Sequence, residues 1–241
     1  MLMARFLRWS VLTLALLLFL PILSSATPTS PVDLQVLSSS SRQLPVTSNG
    51  SIAAQGGNVT QVNINALTIT KAWQGYYGNI TGNIRLDDAS NQTFYSWGNA
   101  TPSGEVYATR NGTIQWDTVN CTNVTQRATE ETYLGQSVAD GDSVTNTFNL
   151  TTHESFLVGL RNITQDTCYS TYAFANGASQ SQNWSQVLLS DNSSNLIYTT
   201  VIDADTVGYN GQTVDFQLMV GENEHPGNEG VTSYYFFVEL S

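Results

Sequence analysis

The chain has 241 residues, of which only 11% are charged, and its 19 acidic residues against eight basic ones give a net charge of −11. Such an acidic chain is a poor partner for nucleic acid, whose phosphates require Lys and Arg. Solubility must rest instead on Asn, Ser and Thr, and the chain is long enough to bury its own hydrophobic core. Nine acidic residues but no Lys or Arg follow Arg161. This excess of negative charge indicates that the C-terminal half binds cations or a basic partner; the alternative is a solvated acidic surface.

The first 26 residues have the three parts of a secretion signal. Arg5 and Arg8 give a positive start, Val11–Leu20 is apolar, and Pro21 precedes the small residues that end at Ala26. The apolar stretch is shorter than the roughly 20 residues that cross a bilayer. We therefore expect cleavage after Ala26 and a secreted protein at the cell surface without a transmembrane anchor. An uncleaved anchor is the alternative.

Residues 27–57 are rich in Ser, Pro and Gly and predict an extended arm. Within this arm, Val32, Leu34 and Val36 alternate with polar residues, as in a short β-strand. Such a strand pairs either with the body of its own chain or with the exposed edge of a neighbour, through main-chain hydrogen bonds.

The chain after the arm is predicted to be strand after strand. Val62, Ile64 and Ala66 alternate with polar residues, and the parity then changes at Leu67, which predicts a strand with a bulge near Ala66. Two further strands flank "DDASN". The pair Asn111–Gly112 between "GEVYAT" and "TIQW" predicts a tight hairpin.

Only "TQRATEETYLG" is typical of a helix, with its end at Gly135. Later strands are predicted at "SVTNTFNL", "ESFLVGL", "CYSTYAFA", "SQVLLS", "NLIYTTVI", "TVDFQLMV" and "SYYFFVEL". Short strands separated by turns, with almost no helix, indicate one all-β domain at residues 58–241, with a β-sandwich or jelly-roll-like fold.

Several of these segments resemble secreted proteins of archaea. The resemblance lies in "WQGYYGNITGNIRLDDASNQTFYSW", "SGEVYATRNGTIQW", "NLIYTTVIDADTVGYNGQTVDFQLMV" and the closing "SYYFFVELS". It covers most of the chain after Gly57 and leaves the arm outside. It implies an extracellular, β-rich surface protein, and it implies no activity and no catalytic residue.

Asn-x-Ser/Thr sequons are far more frequent than the about five that composition predicts by chance. They begin at Asn49, Asn58, Asn79, Asn91, Asn99, Asn111, Asn120, Asn123, Asn149, Asn162, Asn183 and Asn192. In a secreted chain these sites predict N-glycosylation. The alternative is that a strand protein rich in Thr and Asn generates them by accident.

Cys121 and Cys168 are the only cysteines. In an oxidising compartment they predict one disulfide. The competing role, a catalytic thiol, needs a base, and His153 and His225 are the only histidines; neither lies in a recognisable nucleophile motif.

One Gly-rich loop offers the best candidate for a metal site. Its "GENEHPGNEG" sequence gathers Glu222, Glu224, His225 and Glu229. Carboxylates with one imidazole suit calcium or another divalent cation. A solvated loop before the last strand is the alternative, so no cofactor is required and calcium is an option.

Aromatic residues suggest a surface that binds glycans. In "AWQGYYGN", Gly75 and Gly78 bracket Tyr76 and Tyr77, and Trp73 comes just before them. A loop here would present flat faces for stacking on sugar rings. By contrast, Trp97 and Trp116 fall within alternating segments and are expected in the core.

Catalysis finds little support in the sequence. Glu105 and Asp117 near Trp116 resemble a carboxylate pair that flanks a sugar, but no spacing selects a pair, and GxSxG and HExxH motifs are absent. We therefore expect no enzyme. The leading hypothesis is a structural or adhesive glycoprotein that binds itself or other surface proteins, for example as a filament subunit. A carbohydrate-binding module is the alternative, and a glycan-active enzyme comes third.

Overall fold

The computed structural model describes residues 27–42, 51–97, 101–176, 179–223 and 231–241, without the side chains of residues 179–182. The described part consists mainly of antiparallel strands with two short α-helices, which confirms the prediction of all-β structure. Within these ranges, no helix is both long and apolar enough to cross a membrane.

The described residues form fourteen strands and three helical segments. The strands are β1 Trp73–Gly78, β2 Arg85–Asp87, β3 Thr93–Ser96, β4 Gly104–Thr109, β5 Asn120–Cys121, β6 Phe156–Val158, β7 Arg161–Ile163, β8 Ser170–Ala175, β9 Ser179–Ser190, β10 Leu196–Val201, β11 Thr206–Val207, β12 Thr213–Val214, β13 Phe216–Gly221 and β14 Tyr235–Leu240. The helices are a 3-10 turn at Trp116–Thr118, α1 at Val124–Leu134 and α2 at Val144–Thr147.

Six strands form the central sheet. Their order is β14-β4-β10-β9-β5, and β8 pairs with the first part of β9, so that every neighbouring pair is antiparallel. The last strand of the chain, β14, therefore lies at one edge of the sheet, next to β4.

Inner strands of this sheet bury side chains on both faces. On β4, Val106 and Ala108 join one hydrophobic cluster, and Tyr107 between them joins a second one. On β10, Tyr198 belongs to the first cluster and Ile197 to the second. Because successive side chains of a strand point to opposite faces, each cluster covers one face of the sheet. Burial on both faces explains why apolar residues stand at consecutive positions of these strands, without strict alternation.

The first face is covered by the helices and by a two-stranded β1–β13 ribbon. Leu134 from α1, Val144 from α2 and Leu218 from β13 all belong to the cluster on this face. The second face is covered by the β6–β7 hairpin, whose Phe156 and Ile163 lie in the other cluster. The core of the described chain is thus complete on both sides of the sheet.

Helix α1 ends where the sequence predicts, and its start has a clear local cause. Asn123 caps it: the Asn123 side chain accepts from the Gln126 N–H and the Gln126 side chain accepts from the Asn123 N–H, each at 2.9 Å. This reciprocal pair satisfies two backbone donors that a helix start leaves unpaired. Gly135 ends the helix with φ 67°, a conformation that costs glycine no steric strain.

The predicted disulfide forms between Cys121 and Cys168, whose Cα atoms lie 4.8 Å apart. It joins β5 to the segment before β8 and closes a loop that contains both α-helices and the β6–β7 hairpin. In the chain-entropy model, a loop of 47 residues stabilises the fold by about 4 kcal/mol.

Three strand predictions were wrong. Residues 62–69 have no regular structure and pair with no strand among the described residues. The Asn111–Gly112 hairpin does not form, because β4 already has β10 and β14 on its two sides, and neither residue has a positive φ. "SVTNTFNL" contains α2, because Ser143 caps the helix and buried Val144 and Phe148, four residues apart, share one helical face.

Candidate functional site

The most informative surface is the outer edge of β14, the edge that does not face β4. The arm meets this edge at one bridge: the Thr29 N–H donates to the Val238 carbonyl at 3.0 Å, and the Val238 N–H donates to the Thr29 carbonyl at 2.9 Å. Elsewhere in the described residues no strand pairs with this edge of β14.

A proline explains why the arm makes only one bridge. In an antiparallel ladder, the next hydrogen-bonded pair after Thr29 and Val238 would join Pro31 to Phe236. Pro31 has no N–H to donate, so the ladder cannot continue in this direction. The chain bends at Val32 and leaves the edge.

The strand predicted in the arm lies beyond this proline. Val32, Leu34 and Val36 are 107%, 62% and 84% exposed, and residues 32–36 form no ladder with the described residues. The part of the arm that pairs with its own body is therefore Thr29, and the alternating apolar segment points into solvent. Sequence reasoning did not single out Thr29 or Pro31, although the two prolines that flank Thr29 were a usable signal.

The predicted glycan platform has a different geometry from the loop that we expected. "WQGYYG" forms strand β1, paired with β13. The Trp73 ring packs at 5.9 Å from Phe148, and its Nε1 donates to the Asp142 carbonyl. Tyr76 packs on the core and Tyr77 is 41% exposed, so only one of the three rings offers a largely open face.

The expected core position of Trp97 was wrong. Trp97 is 56% exposed, and its ring lies 5.0 Å from the ring of Tyr95 on the β2–β3 hairpin. The hairpin flanking "DDASN" was predicted correctly, but alternation alone does not tell which face a core covers. Trp116 meets the expectation better, since its ring packs 5.1 Å from both Tyr107 and Phe237.

The proposed metal ligands lie mostly outside the described residues, which exclude Glu224, His225 and Glu229. Glu222 is described, and its Oε1 accepts from the Thr232 N–H at 3.3 Å and from the Thr232 hydroxyl at 2.6 Å. These bonds close the base of the loop. Among the described residues, no group of three His, Cys, Asp or Glu side chains could hold a metal ion.

Of the carboxylates near Trp116, Glu105 lies in a polar cluster within the sheet. Glu105 and Glu239 face each other across β4 and β14, and both are buried. Tyr107 donates to Glu239 Oε2 at 3.3 Å, and the Gly159 N–H contacts both Glu239 oxygens at 3.0 Å. Asp117 lies elsewhere, exposed in the 3-10 turn.

Burial dominates the titration of this cluster. It raises the pKa of Glu105 to about 8, and the Glu239 charge adds to this shift while the Tyr107 hydroxyl opposes it. Burial also raises the pKa of Glu239, against the stabilising bonds from Gly159 and Tyr107. At neutral pH Glu105 therefore keeps its proton in the folded protein, which lets two carboxyl groups lie side by side.

His153 has a structural role in the described chain. Its Nε2 accepts from the backbone N–H groups of Thr167 and Cys168 at 3.2 and 2.9 Å, and its Nδ1 lies 2.8 Å from the Glu154 carbonyl. This geometry fits a neutral ring protonated on Nδ1. The ring orients the chain beside the disulfide, and both of its nitrogens are engaged.

The sequon asparagines are accessible wherever the structure describes them. Asn49 and Asn99 lie outside the described residues, and the other ten are exposed. Most of the remaining described asparagines are exposed as well, so accessibility permits glycosylation without selecting for it.

No protein-family model, no curated protein and no solved structure matches this chain. The resemblance to archaeal secreted proteins thus stays a prediction.

Proposed function

We propose that this protein is a secreted, N-glycosylated structural subunit of a cell surface, which joins its copies by adding the arm of one subunit to the β14 edge of the next. The observation that carries the proposal is the position of Pro31, between a single bridge at Thr29 and an exposed strand-forming segment at residues 32–36. Thr29 holds the arm on its own body, and Pro31 prevents the arm from pairing along the rest of β14.

The lengths of the two partners agree. Residues 32–36 in extended conformation span about 17 Å, and β14 has six residues. Residues at alternate positions of β14, including Phe236, Val238 and Leu240, direct their backbone groups towards the outer edge. Edge strands of this kind accept an added strand through main-chain bonds.

Exchange between subunits is also favourable in hydrogen bonds. The bridge within one chain has two backbone hydrogen bonds, with a net contribution of about 1–3 kcal/mol. An arm strand of five residues without proline makes roughly four to six such bonds on the same edge. A neighbour's arm therefore displaces the internal bridge at sufficient protein concentration.

This mode of association gives a chain of subunits. The arm and the edge are different surfaces, so each contact is head-to-tail and leaves one arm and one edge open for further subunits. Since the core is complete on both faces of the central sheet, the body does not need a donated strand to fold. The arm thus acts as a connector between folded bodies of β-sandwich type.

The remaining features support an extracellular setting. The disulfide fits an oxidising compartment, and the ten exposed sequons allow a sugar coat. The excess of negative charge keeps unassembled subunits apart and leaves a role for calcium in assembly.

Three point variants of the mature protein test the arm. We expect L34D to abolish polymers, because a buried charge would interrupt the added strand, and V138D at an equally exposed site on the body serves as its control. P31A should weaken polymers, because the restored N–H lets the arm continue along its own β14. Sedimentation velocity over a range of concentrations measures all three, and an L34D variant that polymerises like V138D would refute the proposal.

A further inference from the structure

Two clefts on the body share the side chains of Arg110 and Tyr235. Their volumes are about 330 and 500 Å³, a size that suits small ligands. Asn111 and Asn195 line the first cleft, and Tyr133 lines the second. We call the two together the Arg110 groove.

Arg110 is held rigidly in this groove. Its Nε and Nη2 donate to the two oxygens of Glu130 at 3.2 and 2.5 Å, and its guanidinium carbon lies 3.4 Å from the centre of the Tyr133 ring. Glu130 is 3% exposed and offsets the positive charge. The Nη1 edge faces away from Glu130, so the groove offers hydrogen-bond donors with little net charge. Such a surface suits the hydroxyl groups of a neutral sugar better than a phosphate.

Two aromatic rings flank the arginine. Tyr133 and Tyr235 are 56% and 53% exposed. The Tyr235 ring lies directly over Gly112, where an added Cβ would come within 3.1 Å of a ring carbon. Exposed rings with a polar group at one end stack well on the apolar faces of sugars.

Gly112, which lies beneath the Tyr235 ring, is the middle residue of the sequon Asn111-Gly112-Thr113. Asn111 Nδ2 donates to Asn195 Oδ1 at 3.0 Å, and Asn111 Oδ1 accepts from the Thr113 N–H at 2.9 Å. The atom that would carry a glycan therefore lies in the wall of the groove. Since Nδ2 has two hydrogens, one can be replaced by a sugar while the other keeps its bond.

We infer that the Arg110 groove holds the sugar chain attached to Asn111. The sugar rings of this chain stack on Tyr235, and the chain extends over Arg110 towards Tyr133. This inference rests on the proposed glycoprotein. The linkage joins Nδ2 to the anomeric carbon of a glycan activated as a lipid phosphate ester; the carbon–oxygen bond to phosphate breaks, and Nδ2 loses one proton. The bound glycan then contacts both the C-terminal end of β4 and the start of β14.

Chemical nitration of tyrosines in the glycoprotein from an N-glycosylating secretory host tests the inference. We expect Tyr133 and Tyr235 to react several-fold more slowly in the wild type than in N111Q, whereas N162Q, at an exposed sequon on β7, should behave like the wild type. Glycopeptide mapping of the same samples reports which sequons are occupied.

Each other outcome overturns the inference in a recognisable way. Equal nitration in the wild type and N111Q, or an unmodified Asn111 beside other occupied sequons, rejects the groove as the seat of this glycan. Protection that persists in N111Q but disappears after removal of all glycans assigns the groove to a sugar from another site. A chain without any glycan would reject the glycoprotein as well.

Discussion

Replacing Glu105 by Gln should remove most of the pH dependence of stability between about pH 4.5 and 8. In the folded state Glu105 has a pKa of about 8, against 4.5 for the group in a model compound. Over this interval the folded protein keeps a proton that the unfolded chain loses. The contribution is therefore complete below pH 4.5 and is lost as the pH rises through the folded pKa.

The size of the effect follows from the shift. Each pKa unit corresponds to 1.36 kcal/mol, so a rise from 4.5 to about 8 lowers the free energy of unfolding by about 5 kcal/mol at the alkaline end, with Glu239 sharing part of this loss. The uncharged amide of E105Q keeps the shape and carries no proton to lose. We expect E105Q to be more stable than the wild type at pH 8 by several kcal/mol.

Urea unfolding followed by tryptophan fluorescence at pH 5, 6, 7 and 8 measures this difference. E154Q, at an exposed position, is the matched control and should follow the wild type. If the unfolding free energies of E105Q and the wild type run parallel over the whole range, Glu105 does not keep its proton in the folded protein.

Three further measurements address other parts of the fold. The C121S/C168S double variant should lose about 4 kcal/mol of unfolding free energy, and the accompanying peptide map of the oxidised wild type should contain the Cys121–Cys168 pair; two unmodified thiols would contradict the structure. G135A should lose about 1 kcal/mol, because alanine is strained at φ 67°, whereas G141A, at a site where an added Cβ meets nothing, should not. The intact mass of the native protein should exceed that of the polypeptide by several glycans, and an unmodified mass would remove the sugar coat from the account.

The elements that the sequence predicts well have local causes. Helix α1 is fixed by Asn123 at one end and Gly135 at the other, both within the segment itself. The β2–β3 hairpin likewise has its turn residues between its strands. In each case the backbone partners lie close in the chain, so the pattern and the structure depend on the same residues.

The failures have distant causes. The residues after Asn111 do not return along β4 because β10 and β14, from far along the chain, occupy both of its sides. The carboxyl pair was missed for the same reason: Glu105 and Glu239 are 134 positions apart and meet only through the β4–β14 register. The exposure of Trp97 depends on which face of the hairpin packs on the core. The alternation of apolar and polar residues in the sequence does not indicate that face.

The arm was predicted only in part. Alternation at Val32, Leu34 and Val36 indicated a strand, but the choice between pairing within the chain and pairing with a neighbour stayed open. The structure adds the register of Thr29 on Val238, which places Pro31 where the next N–H is needed. The sequence contains Pro31, but only the register of Thr29 on Val238 shows that this proline prevents a hydrogen bond to Phe236.

The most direct test of assembly through the arm compares the mature protein with a variant that lacks residues 27–50, by sedimentation velocity and electron microscopy. We predict filaments or linear oligomers for the mature protein, and a folded monomer with unchanged circular dichroism for the truncated one. A synthetic peptide of residues 27–42 should bind the truncated body, and the same peptide with Leu34→Asp should not. Identical polymers from both proteins would contradict the account, and so would a mature protein that remains a monomer at every concentration.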